Sequence, residues 1–490
     1  MVNMPTHSIF KQKVMYKLIK PYWFFGLTFL FVLLLYFPVL TTFFTGDDFF
    51  HFKVAQTDGS VLGFVKLFGF YSFDERGYAF YRPIFREALY HVFYNLFGLN
   101  HLPFRLLQFL IHFINVYLVF IVFEKLFKNK TLAYFTSFFF GISAANVGSL
   151  YYLAGGVQAQ GALMFTLFSL VSFINKKKIA TFVFFLLALS SHELTIGLPL
   201  LLAGTIFLEE SKFKTFITRC IKELWYYGIV LLGFLYLNLF VIGFSSGEAQ
   251  YKINFNPKTM LNTLSWYGAW ALGVPEMLVD YLGSGLKLNP ELMKNWGEYF
   301  KLIFPAFFAI ISIIFYSLVR NIKIFKQKVF WFLIAWFIVG LLPVAFLPIH
   351  KKTYYLQISL PAISALIAYT SRRLLVVVVL AFLVLNITSI KLAEKSYWAK
   401  QRGEFAQKLL IDFKQKYPTL PKGSRIYVLN DPDYPFISEE WGGTSRQAYF
   451  ILNGSDALQL LYKDSLLRVC YQDIPKDCSF ENSIEFVARL

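Results

Sequence analysis

The sequence predicts a mainly α-helical, polytopic membrane protein with a small α/β domain at its C-terminal end. Three observations carry that prediction. Of 490 residues, 57% are hydrophobic and only 16% are charged, too apolar a balance for a chain whose whole surface meets water. Uncharged runs long enough to cross a hydrocarbon core recur along residues 22–391. Basic residues cluster between those runs, and Lys, Asp, Pro and Gly return together after residue 395.

The first run, 22–44, is uncharged for longer than the roughly 20 residues that span a bilayer. Lys11, Lys13, Lys17 and Lys20 precede it, but it exceeds a signal-peptide core and has no small-residue cleavage site before Asp47-Asp48, so it is expected to remain as an anchor. A long external loop follows at 45–102, then a return span at 103–124. Segments 131–153 and 157–174 read as a hairpin turning at Gly155-Gly156. The stretch 179–208 turns around Ser190-Ser191-His192-Glu193 on arms too short for full spans, so it is expected to dip into the bilayer beside other helices.

The chain then goes out through 224–244 and returns through 299–319, with 263–282 as an amphipathic, partly re-entrant helix. Spans at 329–347, 353–369 and 374–391 bring the total to about eleven crossings. Lys125/Lys128/Lys130, Lys176 to Lys178, the Lys212 to Lys222 cluster, Arg320 to Lys328 and Arg372/Arg373 then face the cytoplasm with the N-terminus, and the C-terminus lies outside. The net charge of +18 thus orients the chain and gives no reason to expect nucleic acid as a partner. The domains expected are a membrane module at 1–394 and a soluble extracytoplasmic domain at 395–490, with a helix near 396–416 and a strand at 425–430. Cys470 and Cys478 would bridge in an oxidising compartment, while Cys220 sits in a basic loop.

Asp47 and Asp48 stand where the first run ends. Two close acids at a low-dielectric boundary suit a general base or a metal ligand, and equally suit a span that ends by facing water. Residues 81–100 carry apolar side chains at helical spacing, with Arg82, Arg86 and His91 available to the other face. Guanidinium groups beside a carboxylate pair fit a substrate with both a phosphate and a hydroxyl nucleophile. Glu193 beside His192 in an apolar stretch is either functional or half of a self-satisfied pair. His112, on a helix apolar all round, reads as a structural histidine.

The order of these segments resembles the GT-C glycosyltransferases, particularly the protein O-mannosyltransferases and related bacterial membrane proteins. The resemblance rests on an apolar span followed by Asp47-Asp48, then Tyr81-Arg82-Pro83, then an aromatic helix. It continues in Arg105, His112 and Asn115 of the second span, in the 189–202 turn with His192 where lysine is usual, and in the Pro-, Lys- and Tyr-rich stretch 341–366. It covers most of 22–370, and order and spacing carry it more than any single motif.

The resemblance implies a GT-C-like bundle in a bacterial cytoplasmic membrane that moves a sugar from a polyprenyl-phosphate donor to an acceptor hydroxyl or amine, with inversion. Asp47 would be the general base, and Asp48 would position the acceptor, help orient a metal or hold the loop. Arg82, Arg105, Lys351 and Lys352, assisted by His350, would take the donor phosphate, and His51, His192, Glu193 and Tyr355 would position substrate. The acceptor is a glycan, lipid or protein, and a divalent cation, Mg or Mn, is compatible with the acidic pair. The chain lacks the tetratricopeptide arrays and the β-trefoil of some relatives, so no acceptor is inherited. The rival readings are a transporter or lipid-linked glycan flippase, against which stands the lack of internal symmetry, and a polysaccharide polymerase or ligase.

Overall fold

The computed structural model describes residues 21–243, 251–283, 285, 287–434, 442–474 and 483–489. The described chain is mainly helical. Its longer helices are α1 Pro21–Leu35, α2 Gly46–Val54, α3 Leu89–Phe97, α4 His101–Phe127, α5 Lys130–Ile142, α6 Leu153–Ile174, α7 Lys178–Leu189 and α8 Leu198–Glu209. They continue as α9 Phe213–Tyr236, α10 Pro257–Leu272, α11 Pro290–Arg320, α12 Lys328–Gly340, α13 Leu360–Thr370, α14 Leu375–Ser396 and α15 Trp398–Lys416. The C-terminal part adds α16 Thr444–Leu452, α17 Asp456–Tyr462 and strands β1 Arg425–Asn430, β2 Arg468–Tyr471 and β3 Ile484–Ala488.

Five segments are long and apolar enough to cross a membrane: His101–Phe127, Leu153–Ile174, Phe213–Ile242, Pro290–Arg320 and Leu375–Lys416. The shorter apolar helices Trp23–Leu35, Lys178–Leu189, Lys328–Gly340 and Leu360–Thr370 pack with them. At a rise of about 1.5 Å per residue each of these reaches only about 16–20 Å. Such apolar helices suit a lipid bilayer.

The expected hairpin at 131–174 departs from the sequence reading. Helix α5 stops at Ile142, and Gly155-Gly156, expected as the turn, lie inside α6. Between them runs a short helix, Asn146–Tyr151, and the break before it at 143–145 is tolerated because buried amides take backbone groups there. Asn386 of α14 accepts from the Ala144 amide at 2.6 Å, and Asn146 donates to the Phe140 carbonyl at 2.6 Å. A Cβ at Gly156 would stand 2.1 Å from the Ser149 carbonyl oxygen, so the return of the chain onto itself requires glycine there. The expected helix at 263–282 begins earlier, at Pro257 behind an Asn256 cap, and ends at Gly273 with φ 114°. His112 is fully buried and its Nε2 lies 3.1 Å from the Gly141 carbonyl.

The C-terminal strands form a parallel sheet in the order β2-β1-β3. Its apolar face is continuous with the first long loop: Phe44, Phe49, Phe52 and Phe104 share one buried cluster with Leu409, Phe413, Ile426 and Ile451. That shared core seats α2, which carries the acidic pair. Cys470 in β2 is disulfide-bonded, and Cys220 is free. Cys478, expected as the partner of Cys470, lies outside the described residues, as do Lys11 to Lys20.

Candidate functional site

Helix α2 starts at Gly46 with Thr45 as N-cap, and Asp48, three residues beyond the cap, closes a capping box. Asp48 Oδ2 accepts from the Thr45 amide at 3.0 Å, and Oδ1 accepts from the Tyr90 hydroxyl at 2.8 Å. With both oxygens engaged and no surface exposed, Asp48 holds the start of the helix. Burial raises its pKa to about 6, against the opposing pull of Arg105, the Thr45 amide and Tyr90, and with a further push from Asp47.

Asp47, at the first turn, points the other way and is exposed. The Tyr152 hydroxyl donates to its Oδ2. The Tyr152 ring packs 5.0 Å from Trp398 and 5.4 Å from Tyr354. Arg402 stands over the opposite part of this aromatic wall, 5.2 Å from the Trp398 ring, and feels the Asp47 charge.

A second polar group lies beyond Tyr354. Arg82 donates through Nε to Glu193 Oε2 at 2.8 Å and through Nη2 to the other oxygen, a two-pronged grip that fixes the guanidinium plane. Its remaining prong donates to Gln158 at 2.9 Å. Glu193 is therefore paired with Arg82. His192 uses Nδ1 to accept from the Leu194 amide at 3.2 Å, so its approach to Glu193 is not an ion pair. Tyr355 packs edge-on against His192 at 6.0 Å and against His350 at 5.6 Å. Burial, then the charges of Lys352 and Arg82, push the His350 pKa down to about 4, so its ring is neutral at pH 7.

An apolar cavity of about 200 Å³ opens beside this group, lined by Phe234, Leu239, Ile253 and Val344, with Glu193 and Tyr355 at its polar end.

The remaining expected site residues separate from this group. Arg105 is 1% exposed and spends its donors on the carbonyls of Thr42, Phe43 and Leu150 and on Gln108, at 3.0 to 3.2 Å. It ties the exit of α1 to α4 behind Asp48 and does not reach the cavity. Lys351 lies 3.4 Å from Asn262, and Lys352 lies 3.7 Å from Glu276, both on a different pocket from Arg82. His51 is buried edge-on against Tyr90 at 5.1 Å, where burial, then Arg86 and Arg82, hold its pKa well below the usual range. Among the described residues no group of three or more His, Cys, Asp or Glu could hold a metal ion.

Sequence reasoning missed Tyr152, Gln158, Trp398 and Arg402. The i,i+4 pair Trp398 and Arg402 just after the last apolar run was a readable signal, since it places a ring and a cation on one helix face. The Thr45-to-Asp48 spacing was another: it marks a capping box and so separates the roles of the two acids. Set against protein-family models, curated proteins and solved structures, the chain matches none.

Proposed function

We propose that the chain is a GT-C-type membrane glycosyltransferase that transfers a sugar from a polyprenyl-phosphate donor to an acceptor hydroxyl at the outer face of a bacterial cytoplasmic membrane. The observation that carries this reading is the union of three features: an exposed carboxylate at Asp47, a fixed guanidinium at Arg82, and an apolar cavity that ends beside Arg82's partner Glu193. A lipid-linked phosphosugar needs all three, because its tail wants an apolar channel, its phosphate wants a cation and its acceptor must lose a proton.

In this reading Asp47 takes the proton of the acceptor hydroxyl as that oxygen bonds to C1 of the sugar. The bond from C1 to the phosphate oxygen breaks on the opposite face, and polyprenyl phosphate leaves with the electron pair, so the configuration inverts. Tyr152 orients the base, Asp48 holds the helix that presents it, and Arg82 would meet the leaving phosphate through the N–H groups that Glu193 and Gln158 leave free. His350 contributes as a neutral hydrogen-bonding ring. About eleven crossings with the C-terminal domain outside would put Asp47 and Arg82 at the same membrane surface.

The test uses the full chain in liposomes with a polyprenyl-phosphate-linked hexose and a membrane extract as the source of acceptor. Release of polyprenyl phosphate should occur with the native protein and vanish in Asp47→Asn, while the variant inserts normally. Equal release from both, or none from the native protein with a panel of donor sugars, overturns the reading.

A further inference from the structure

Arg86 and Glu87 are both buried, one turn beyond Arg82, and the transfer chemistry above uses neither. Arg86 donates through Nη1 to the Ala79 carbonyl at 2.9 Å and through Nη2 to the Phe80 carbonyl at 2.7 Å. Glu87 Oε1 accepts from its Nε at 3.0 Å and from its Nη2 at 2.7 Å, so the buried cation is paired with its own neighbour. The Tyr78 ring lies 4.0 Å from the guanidinium. One side chain thus gathers the three residues that lead into Tyr81-Arg82.

What it holds is an uncommon turn. Phe80 has φ 66°, in the left-handed region that a bulky side chain rarely adopts and that persists only where the surroundings impose it. On the other side, the Tyr81 amide donates to Asn238 at 3.0 Å, and Asn238 is itself buried and tied to the Phe234 carbonyl at 2.9 Å. Pro83–Ala88 then winds as a π-helical turn, a form frequent at functional sites. The consequence is the placement of the Phe80 ring. It lines the apolar cavity, 6.1 Å from the Tyr251 ring, and the Arg82 guanidinium lies 5.1 Å from its centre. Phe80 therefore stands at the seam between the apolar wall and the cation.

We propose that Phe80 reads the first isoprene unit of a prenyl phosphate held at Arg82, and that Arg86 is the positioning residue that keeps its ring there. A role in turnover rests on the transferase reading; the binding geometry does not. A phosphate on the free N–H groups of Arg82 lays the first carbons of its tail over the Phe80 ring, and the later isoprenes run on into the cavity. Arg86 touches no substrate and acts through Phe80.

The experiment titrates the full chain in nanodiscs with geranyl phosphate, read by calorimetry, with inorganic phosphate as the comparison. Geranyl phosphate should bind saturably and more tightly than inorganic phosphate. Phe80→Gly accepts the left-handed turn freely but has no ring, and should weaken geranyl phosphate about 10-fold, the loss of roughly one aromatic contact. It should leave the affinity for inorganic phosphate as it is. Arg86→Lys keeps a charge beside Glu87 but cannot grip two carbonyls at once, so it should weaken geranyl phosphate to a similar extent. In the Phe80→Gly chain the same Arg86→Lys change should add no more than about 2-fold, because the residue it acts through is already gone. An Arg86 that only supports the fold would give losses that add. Absence of saturable binding to the native chain, native affinity in Phe80→Gly, or additive losses overturns the proposal, and Phe80→Gly decides alone should Arg86→Lys not fold. If geranyl phosphate binds as described while release of polyprenyl phosphate fails, the transferase reading falls and the prenyl phosphate seat stands.

Discussion

The Tyr90 hydroxyl meets Asp48 Oδ1 at 2.8 Å, joining α3 to the first turn of α2 inside a fully buried environment. The neighbouring Asp47 is exposed and takes the Tyr152 hydroxyl on Oδ2. One acid is thus structural and the other available, and substitutions should separate them. Asp48→Ala strands the Tyr90 hydroxyl and the Thr45 amide, and is expected to cost about 2–3 kcal/mol. Asp47→Asn keeps an oxygen for the Tyr152 hydroxyl and should change the stability by no more than about 0.5 kcal/mol. Thermal unfolding in detergent checks both.

The same carboxyl sets a pH signature. Burial places the Asp48 pKa at about 6 in the fold, against about 3.9 in the unfolded chain. The folded state then binds this proton more tightly, so Asp48 adds stability as the pH falls from about 6 toward about 4. The native midpoint minus the Asp48→Asn midpoint should rise across that window. A flat difference would show that the carboxyl titrates normally.

His350 has the opposite sign. Its folded pKa of about 4 lies below the ordinary histidine value, through burial first and then Lys352 and Arg82. The unfolded chain binds this proton more readily, so the His350 contribution is lost as pH falls from about 6.5 toward about 4. His350→Gln should remove that loss. Donor binding at pH 5.5 should match that at pH 7.5, because the ring is neutral at both.

Arg82 and Glu193 form a two-pronged pair with side-chain exposures of 15% and 19%, and Glu193 lines the apolar cavity. Arg82→Ala leaves the acid unpaired and is expected to cost about 3 kcal/mol. Adding Glu193→Gln should restore most of that stability without restoring turnover. A thermal double-mutant cycle, run beside the donor-release assay, separates the two effects.

Gly46 opens α2 where a Cβ would stand 2.4 Å from the Phe450 carbonyl oxygen of α16. Gly46→Ala should therefore push the two elements apart at about 1–3 kcal/mol. Faster proteolytic release of the C-terminal domain would register the separation.

Part of the bundle was legible because burial in lipid leaves a strong linear trace: α4 and α14 coincide with apolar runs bounded by basic residues, whereas α9 begins at Phe213, before the expected 224–244, and takes Lys214, Arg219 and Lys222 into the helix. The strand at 425–430 was equally plain from its consecutive strand-forming residues Ile426, Tyr427 and Val428. The break in the 131–153 segment was not, because it depends on Asn386, more than two hundred residues away, accepting from Ala144. Long-range amide partners leave no periodicity to read. At the site, residue type alone indicated that Arg82, Glu193 and His350 were of interest. It could not tell that Arg105 would be spent on backbone carbonyls, nor that Lys351 and Lys352 would line a separate pocket.

The seat of α2 is assembled from parts made at very different times. Gly46 rests under Phe450, and Lys53 donates to Gln459 at 2.6 Å. A ribosome reaches residues 450–459 some four hundred residues after Asp47. A nascent or interrupted chain therefore lacks the contacts that seat α2, and the helix takes its place only once the final segment has folded against it.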